Sequence, residues 1–306
     1  MRSHLSRGAF TTALAVVLCL VFAGQVVAAT GADVQARIYK AVKKGQPVVV
    51  HVVVALCDNK HQGIAPVPEA LGNGQDPDKN LYWGAAYGVR TYLVKTAKWE
   101  LLSKETAPKS VNAGILERIV LCTTVKRGAR NVDVILIAEA WDGAKMPQAM
   151  TRFLSIAGGN NPESDAVVRP GRSWRFDAGG AADLVVFVGH NGLMDGSVDQ
   201  PKANPSPAGP RSAVVLACKS KDYFLDRLNM AGAHPLLLTT GLMAPEAYTL
   251  DVVARSFAAG DSTADTLTKA AVRYSKYQNV SVAAARKLFY SEIAPSKPAA
   301  LARPQR

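Results

Sequence analysis

The stretch VVVHVVVAL, residues 48–56, decides the fold class of this chain. It is a nearly unbroken β-branched run, which is typical of a strand buried on both faces of a sheet. Similar short apolar runs recur at residues 184–188, 213–216 and 235–240, and they alternate with helical segments. This alternation predicts an α/β fold with a mostly parallel sheet flanked by helices on both faces, a three-layer αβα arrangement.

Periodicity and breaker residues outline the remaining elements. They predict helices at 33–44, 81–97, 145–157, 221–231, 245–259 and 263–276, and further strands at 119–125 and 132–140. Those two strands flank the turn sequence KRGARN, which favours a hairpin or closely neighbouring strands. Residues 159–181 are predicted to form a loop or a small hairpin around Trp174. Residues 57–80 and 191–211 are long loops, and such loops inside compact domains are usually functional or mobile.

The first 29 residues have the three parts of a cleavable secretory signal. Arg2 and Arg7 precede an uncharged apolar run, and small residues follow it at the expected cleavage position. The alternative is an uncleaved membrane anchor, although the apolar run is near the short limit for a span. The prediction is therefore a signal peptide at 1–29, a single domain at 30–293 and a disordered tail at 294–306, in a periplasmic or secreted protein.

The charge of the chain is positive but dispersed. There are 36 Lys and Arg residues against 24 Asp and Glu residues, a formal net charge of +12. The basic residues form no aromatic-interleaved stripe, so no nucleic-acid partner is predicted. No later segment has the length of apolar sequence that a membrane helix needs. Residues 76–80 are spaced like the start of a calcium loop but lack the glycine and distal glutamate, so neither a metal nor a cofactor is predicted.

The cysteine count points to a functional thiol. The chain has four cysteines, and Cys19 would leave with the signal. The remainder, Cys57, Cys122 and Cys218, is an odd number, so an exported protein keeps at least one thiol that is unpaired or bonded between chains.

Two predicted strands end on reactive side chains. The run LVVFVG leads to His190, and AVVLA leads to Cys218. Ligands bind at the carboxyl ends of the strands in open α/β sheets. If the two strands are neighbours, the imidazole and the thiol lie on one edge, and a Cys–His pair is the minimal combination of nucleophile and base.

The surroundings of Cys218 favour a thiolate. It directly precedes a predicted helix for which Ser220 is a plausible N-cap, and Lys219 and Lys221 add positive charge. The alternative is structural, because a cysteine after an apolar strand is more often a small buried hydrophobic residue.

The order of these elements resembles that of caspase-like cysteine peptidases, and it is similar above all to bacterial CHAT-type domains. The resemblance covers about residues 183–276: a strand ending in His, a strand ending in Ala-Cys, a helix, an Ala-Gly-Ala turn, a strand and two helices. It implies a caspase-like fold in which Cys218 is the nucleophile and His190 protonates the leaving amine. The family has a glycine directly after the histidine, whereas Asn191 stands here before Gly192.

The end of the first strand lies near the same predicted cleft. Cys57 and Asp58 follow that strand directly, so Cys57 could line a pocket, act as a second nucleophile with His61, or form half of a disulfide. The structural or pocket-wall role is the leading one. Cys122 lies within a predicted strand and is assigned to the core.

Together these patterns predict an exported cysteine peptidase or related hydrolase that acts on a peptide or protein. Cys218 would attack a carbonyl carbon, His190 would move the proton, and backbone amides near Asn191, Gly192 and Cys218 would hold the oxyanion. The alternative is a non-catalytic caspase-like domain that binds a peptide or a cell-envelope component through the same cleft.

Overall fold

The computed structural model describes residues 29–108, 114–204 and 208–292. Within these ranges the strands are β1 (Val48–Ala55), β2 (Glu100–Thr106), β3 (Ile115–Arg127), β4 (Arg130–Trp141), β5 (Pro162–Arg169), β6 (Arg172–Gly179), β7 (Leu184–Val188), β8 (Ser212–Leu216), β9 (His234–Thr239) and β10 (Phe289–Tyr290). The α-helices in the same ranges are α1 (Gly31–Lys43), α2 (Val89–Thr91), α3 (Met146–Ala157), α4 (Ser220–Ala231), α5 (Ala247–Ala259), α6 (Thr263–Gln278) and α7 (Val282–Leu288).

Eight of the strands form one sheet, in the order β10-β9-β8-β7-β1-β4-β3-β2. The central strands β4, β1, β7, β8 and β9 are parallel, and the strands at both edges are antiparallel. β1 lies in the middle and every one of its residues is buried, as its unbroken apolar sequence predicts. Strands β5 and β6 form a separate antiparallel hairpin.

The sheet separates two apolar layers. One face packs against α1, α5, α6, α7 and the segment around residues 82–94. The other face packs against α3, α4 and the aromatic side chains of the β5–β6 hairpin. Successive residues of β1, β4, β7 and β8 contribute alternately to the two layers, because side chains alternate across a sheet. The predicted α/β class, a mostly parallel sheet covered by helices on both faces, is confirmed.

The prediction of a helix at 81–97 is mostly wrong. Turns continue through Gly88, and only α2 follows, extended by a single π-helical turn at Tyr92–Thr96. The chain folds back on itself here: a Cβ added to Gly84 would lie 2.0 Å from the carbonyl oxygen of Asp78, and one added to Gly88 would lie 2.5 Å from the backbone of Trp83. Only glycine permits two backbone segments to lie this close together. The chain therefore forms a folded-back loop here and not the helix that the apolar spacing predicted.

The β3–β4 hairpin is confirmed, and the residues around Trp174 form the small β5–β6 hairpin. Edge strand β2 and the terminal elements α7 and β10 were not predicted, because β2 is largely polar and exposed and β10 has only two residues. The predicted signal peptide, apart from Ala29, and the predicted tail at 294–306 lie outside the described residues. No helix within the described ranges is long and apolar enough to cross a membrane.

Candidate functional site

The strands that lead to His190 and Cys218 are direct neighbours. β7 and β8 pair in parallel, and their last register pair is Val188 with Leu216. His190 and Cys218 each lie two residues beyond that pair, at the carboxyl edge of the sheet. The pairing of the two strands therefore brings the predicted base and the predicted nucleophile to the same edge at the same level.

His190 is oriented by a carboxylate. Its Nε2 lies 2.7 Å from Oδ2 of Asp195, and the same oxygen accepts the backbone N–H of Gly63 at 2.9 Å. An ionised carboxylate only accepts hydrogen bonds, so Nε2 carries a proton, and in the neutral imidazole Nδ1 then keeps its lone pair. No residue that the structure describes forms a hydrogen bond with Nδ1 of His190. Sequence reasoning missed Asp195, and its position five residues after His190 was the available signal.

The Asn191 side chain joins the two strand-end loops. Asn191 is fully buried. Its Nδ2 donates to the carbonyl oxygen of Cys218 at 2.8 Å, and its Oδ1 accepts the backbone N–H of Leu193 at 3.2 Å. Asn191 thus holds the backbone of Cys218 against the loop that carries His190.

Some backbone N–H groups near the site already donate a hydrogen bond within the protein, and others do not. The N–H of Gly192 donates to the carbonyl of His190 at 3.1 Å, so it is already occupied. The backbone N–H groups of Asn191 and Cys218 donate to no group in the described part of the chain. A backbone amide without a protein partner takes one from solvent or a ligand, so the amides of the buried Asn191 and the half-buried Cys218 are the candidates for holding an oxyanion.

Cys218 is half-buried, whereas Cys57 and Cys122 are buried, and all three thiols are free. The Cys218 thiol contacts the backbone of Met243: the Met243 N–H lies 3.4 Å from Sγ, and Sγ lies 3.6 Å from the Met243 carbonyl oxygen. It forms no hydrogen bond with His190 in this structure. Catalytic contacts are often loose before substrate binds.

The turn after Cys218 differs from the predicted cap. Helix α4 begins at Ser220, and its N-cap is Lys219, which has a left-handed backbone with φ of 48°. The Ser220 hydroxyl is buried and donates to the carbonyl oxygen of Val215 at 3.0 Å. The proposed N-cap role of Ser220 is therefore wrong, because its side chain anchors the helix start to the end of β8.

Cys57 lies two residues beyond the end of β1, the strand that pairs with β7. It is completely buried and forms part of the core. Asn80 holds its backbone on both sides, since the Asn80 Oδ1 accepts the Cys57 N–H at 3.0 Å and its Nδ2 donates to the Cys57 carbonyl at 2.8 Å. Burial raises the pKa of Cys57 to about 11, in spite of a hydrogen bond with the Tyr82 hydroxyl. This environment suits a packing residue and disfavours a thiolate.

Asp58 organises the loop that follows β1. Its Oδ1 accepts the backbone N–H groups of Lys60 and His61, and its Oδ2 lies 2.9 Å from both the His61 ring and the Gln75 amide. Burial opposes ionisation, but the hydrogen bonds from Gln75, His61 and Lys60 outweigh it and lower the pKa of Asp58. The Asp58 carboxylate is turned into its own loop, so it orders the loop that follows β1.

The remaining candidates lie away from the strand ends. Cys122 is buried in β3, and burial raises its pKa to about 12. Within the described ranges, His51, Glu139 and Glu163 are close enough together to share a metal ion. Arg152 pairs with both carboxylates and Arg118 pairs with Glu163, so two cationic side chains already compensate the negative charge of this group.

Compared with protein-family models, curated proteins and solved structures, the chain matches none of them.

Proposed function

We propose that this protein is an exported cysteine peptidase or related amide hydrolase with Cys218 as nucleophile and His190 as its base. The supporting observation is the pairing of β7 with β8, which sets the two residues at one sheet edge with the Nε2 of His190 bound to Asp195. Nucleophile, base and a third group that orients the base form the recurring arrangement of covalent hydrolases. The caspase-like resemblance likewise makes Cys218 the nucleophile, and it has His190 protonate the leaving amine.

In the proposed reaction, Nδ1 of His190 accepts the thiol proton as Sγ of Cys218 bonds to the substrate carbonyl carbon. The N–H groups of Asn191 and Cys218 stabilise the negative oxygen of the tetrahedral intermediate. As the C–N bond breaks, the histidine returns the proton to the leaving amine. Water, deprotonated by the same histidine, then attacks the thioester, and the acid product leaves as the thiol is restored.

Thiol labelling followed by cleavage assays tests this proposal. At neutral pH, iodoacetamide is expected to modify Cys218 first, because Cys57 and Cys122 are buried and burial raises the pKa of both thiols. Mass spectrometry of the labelled peptides measures the order. Cys218→Ala should abolish hydrolysis of a peptide library, and Cys122→Ala is the matched control that should retain it.

Slow and unselective labelling, together with no cleavage of any peptide, would refute the enzymatic proposal. Peptide binding that persists under those conditions would instead support a non-catalytic binding domain.

A further inference from the structure

A carboxylate lies on the same segment that contacts the candidate nucleophile. Met243 donates its N–H to the Cys218 thiol at 3.4 Å, and Glu246 follows three residues later. The segment between them is ordered by hydrogen bonds: Ala244 donates its N–H to the Tyr274 hydroxyl at 3.1 Å, and the Glu246 N–H bonds to the Ala244 carbonyl at 2.9 Å. Glu246 therefore lies on the same short, hydrogen-bonded stretch of backbone that contacts Cys218.

Among the residues that the structure describes, none offers the Glu246 carboxylate a cationic partner. It is half-buried, and its partners are the Gln278 amide, at 3.2 Å from Oε2, and the Tyr248 hydroxyl. Burial raises its pKa, and the hydrogen bond with Tyr248 only partly opposes this. No Lys, Arg or His in the described part of the chain forms an ion pair with it, although the protein as a whole is strongly basic. Arg273, on the same helix as Gln278, pairs with Asp251.

Three tyrosine rings cluster beside the start of α5, where Glu246 is the N-cap residue. Tyr248 and Tyr277 stack with ring centroids 4.2 Å apart, and Tyr87 meets them edge-on at 6.1 Å and 5.4 Å. The Tyr87 carbonyl accepts the N–H of Ala247, which places Tyr87 at the start of α5 beside Glu246. Tyr87 is 45% exposed whereas Tyr248 is fully buried, so the cluster meets solvent at Tyr87. Aromatic faces attract cations, and a nearby carboxylate adds to that attraction.

We propose that Glu246 and the exposed Tyr87, with Tyr248 and Tyr277 packed behind them, bind a lysine or arginine side chain of the peptide substrate close to the bond that Cys218 attacks. This inference rests on the proposed function, since it identifies the substrate class of the same site. An uncompensated, partly buried carboxylate is costly to maintain, and a basic substrate side chain supplies the missing positive charge.

Binding and cleavage are measured separately to test this. Fluorescently labelled peptides that differ only by Lys, Arg, Gln or Glu at one position are titrated against the Cys218→Ala protein, in which binding cannot lead to reaction. The same peptides are then assayed for cleavage by the protein with Cys218 intact. We expect the basic peptides to bind about tenfold more tightly than the Gln peptide, the scale of a hydrogen-bonded charge pair.

Glu246→Gln should remove this preference, and Glu105→Gln is the matched control. Glu105 is exposed on edge strand β2, at the opposite side of the sheet, so its substitution changes the net charge equally and should preserve the preference. Circular dichroism and thermal unfolding confirm that both variants remain folded.

The outcomes distinguish this inference from the proposed function. If the protein binds basic peptides selectively through Glu246 but cleaves none, the site for a basic side chain is supported and the proposed enzymatic activity is refuted. Cleavage without a basic preference, or a preference that survives Glu246→Gln, overturns the inference and leaves the enzyme standing. The absence of both binding and cleavage overturns both.

Discussion

Replacement of Arg152 by methionine should strongly destabilise this protein, because Arg152 is the cationic partner of a fully buried carboxylate. Arg152 lies on α3 with only 4% of its side chain exposed, and it donates to Oε1 of Glu139 on β4 at 2.8 Å. Glu139 is completely buried and also interacts with His51 and with the Trp141 indole, each at 2.9 Å. The Gly179 N–H donates to Nδ1 of His51, so the imidazole is neutral and donates through Nε2.

The expected loss is about 3 kcal/mol in the free energy of unfolding. Breaking one side of a buried ion pair typically costs about 3 to 5 kcal/mol, because the remaining charge stays buried without compensation. The hydrogen bonds from His51 and Trp141 to Glu139 remain in the variant, which favours the lower end of that range. Methionine retains an unbranched apolar stem, so the contribution from an added cavity is small.

The loss should also alter the response to acid. Burial disfavours the charged form of Glu139, but the interactions with His51 and Arg152 outweigh it and hold the pKa far below its ordinary value. A lowered pKa in the folded state stabilises the protein at neutral pH, and this stabilisation is lost as the pH falls below the ordinary carboxyl value of about 4.3. Arg152→Met should weaken this acid dependence, because the pKa of Glu139 rises towards its ordinary value.

Urea unfolding followed by tryptophan fluorescence at several pH values measures both effects. Arg172→Met is the matched control, since Arg172 pairs with Asp133 at the surface with 48% of its side chain exposed and should contribute at most about 1 kcal/mol. Adding Glu139→Gln to Arg152→Met should restore at least about 1 kcal/mol by removing the buried charge. If Arg152→Met costs no more than Arg172→Met, or if the double variant is no more stable than the single one, the reasoning is wrong.

Three further predictions concern the strand-end site. Asp195→Asn should lower kcat/KM by about tenfold or more, because the amide no longer selects the His190 tautomer with a free Nδ1; an unchanged pH–rate profile would contradict this. Asn191→Ala should cost about 1 to 3 kcal/mol in urea unfolding, since it removes the bridge to the Cys218 carbonyl, and a stability equal to that of the unmodified protein would exclude the bridge. Cys57→Ala should cost about 1 to 2 kcal/mol through lost packing while peptide cleavage continues; loss of cleavage in a folded variant would make Cys57 the nucleophile.

The long apolar strands and most helices could be predicted from the sequence because their signals are local. The run at 48–56 requires burial on both faces, and in the structure it is the central strand β1. Helices with clear periodicity and breakers, such as α3 and α4, begin and end within a residue or so of their predicted limits. The segment at 81–97 failed because its apolar spacing fits a helix, whereas tertiary contacts at Gly84 and Gly88 favour a tight folded-back loop.

The pattern along the chain is enough to predict that His190 and Cys218 each follow a buried strand. Parallel strands place their carboxyl ends on one edge of the sheet. That β7 and β8 are neighbours in register is visible only in the folded chain. Strand order depends on contacts between residues far apart in the sequence. The tertiary structure also decided the partners: Asp195 for His190, Asn191 for the Cys218 carbonyl, and no cation for Glu246 among the described residues. A polar residue in a loop carries no periodic pattern, so its role depends on which side chains the fold brings to it.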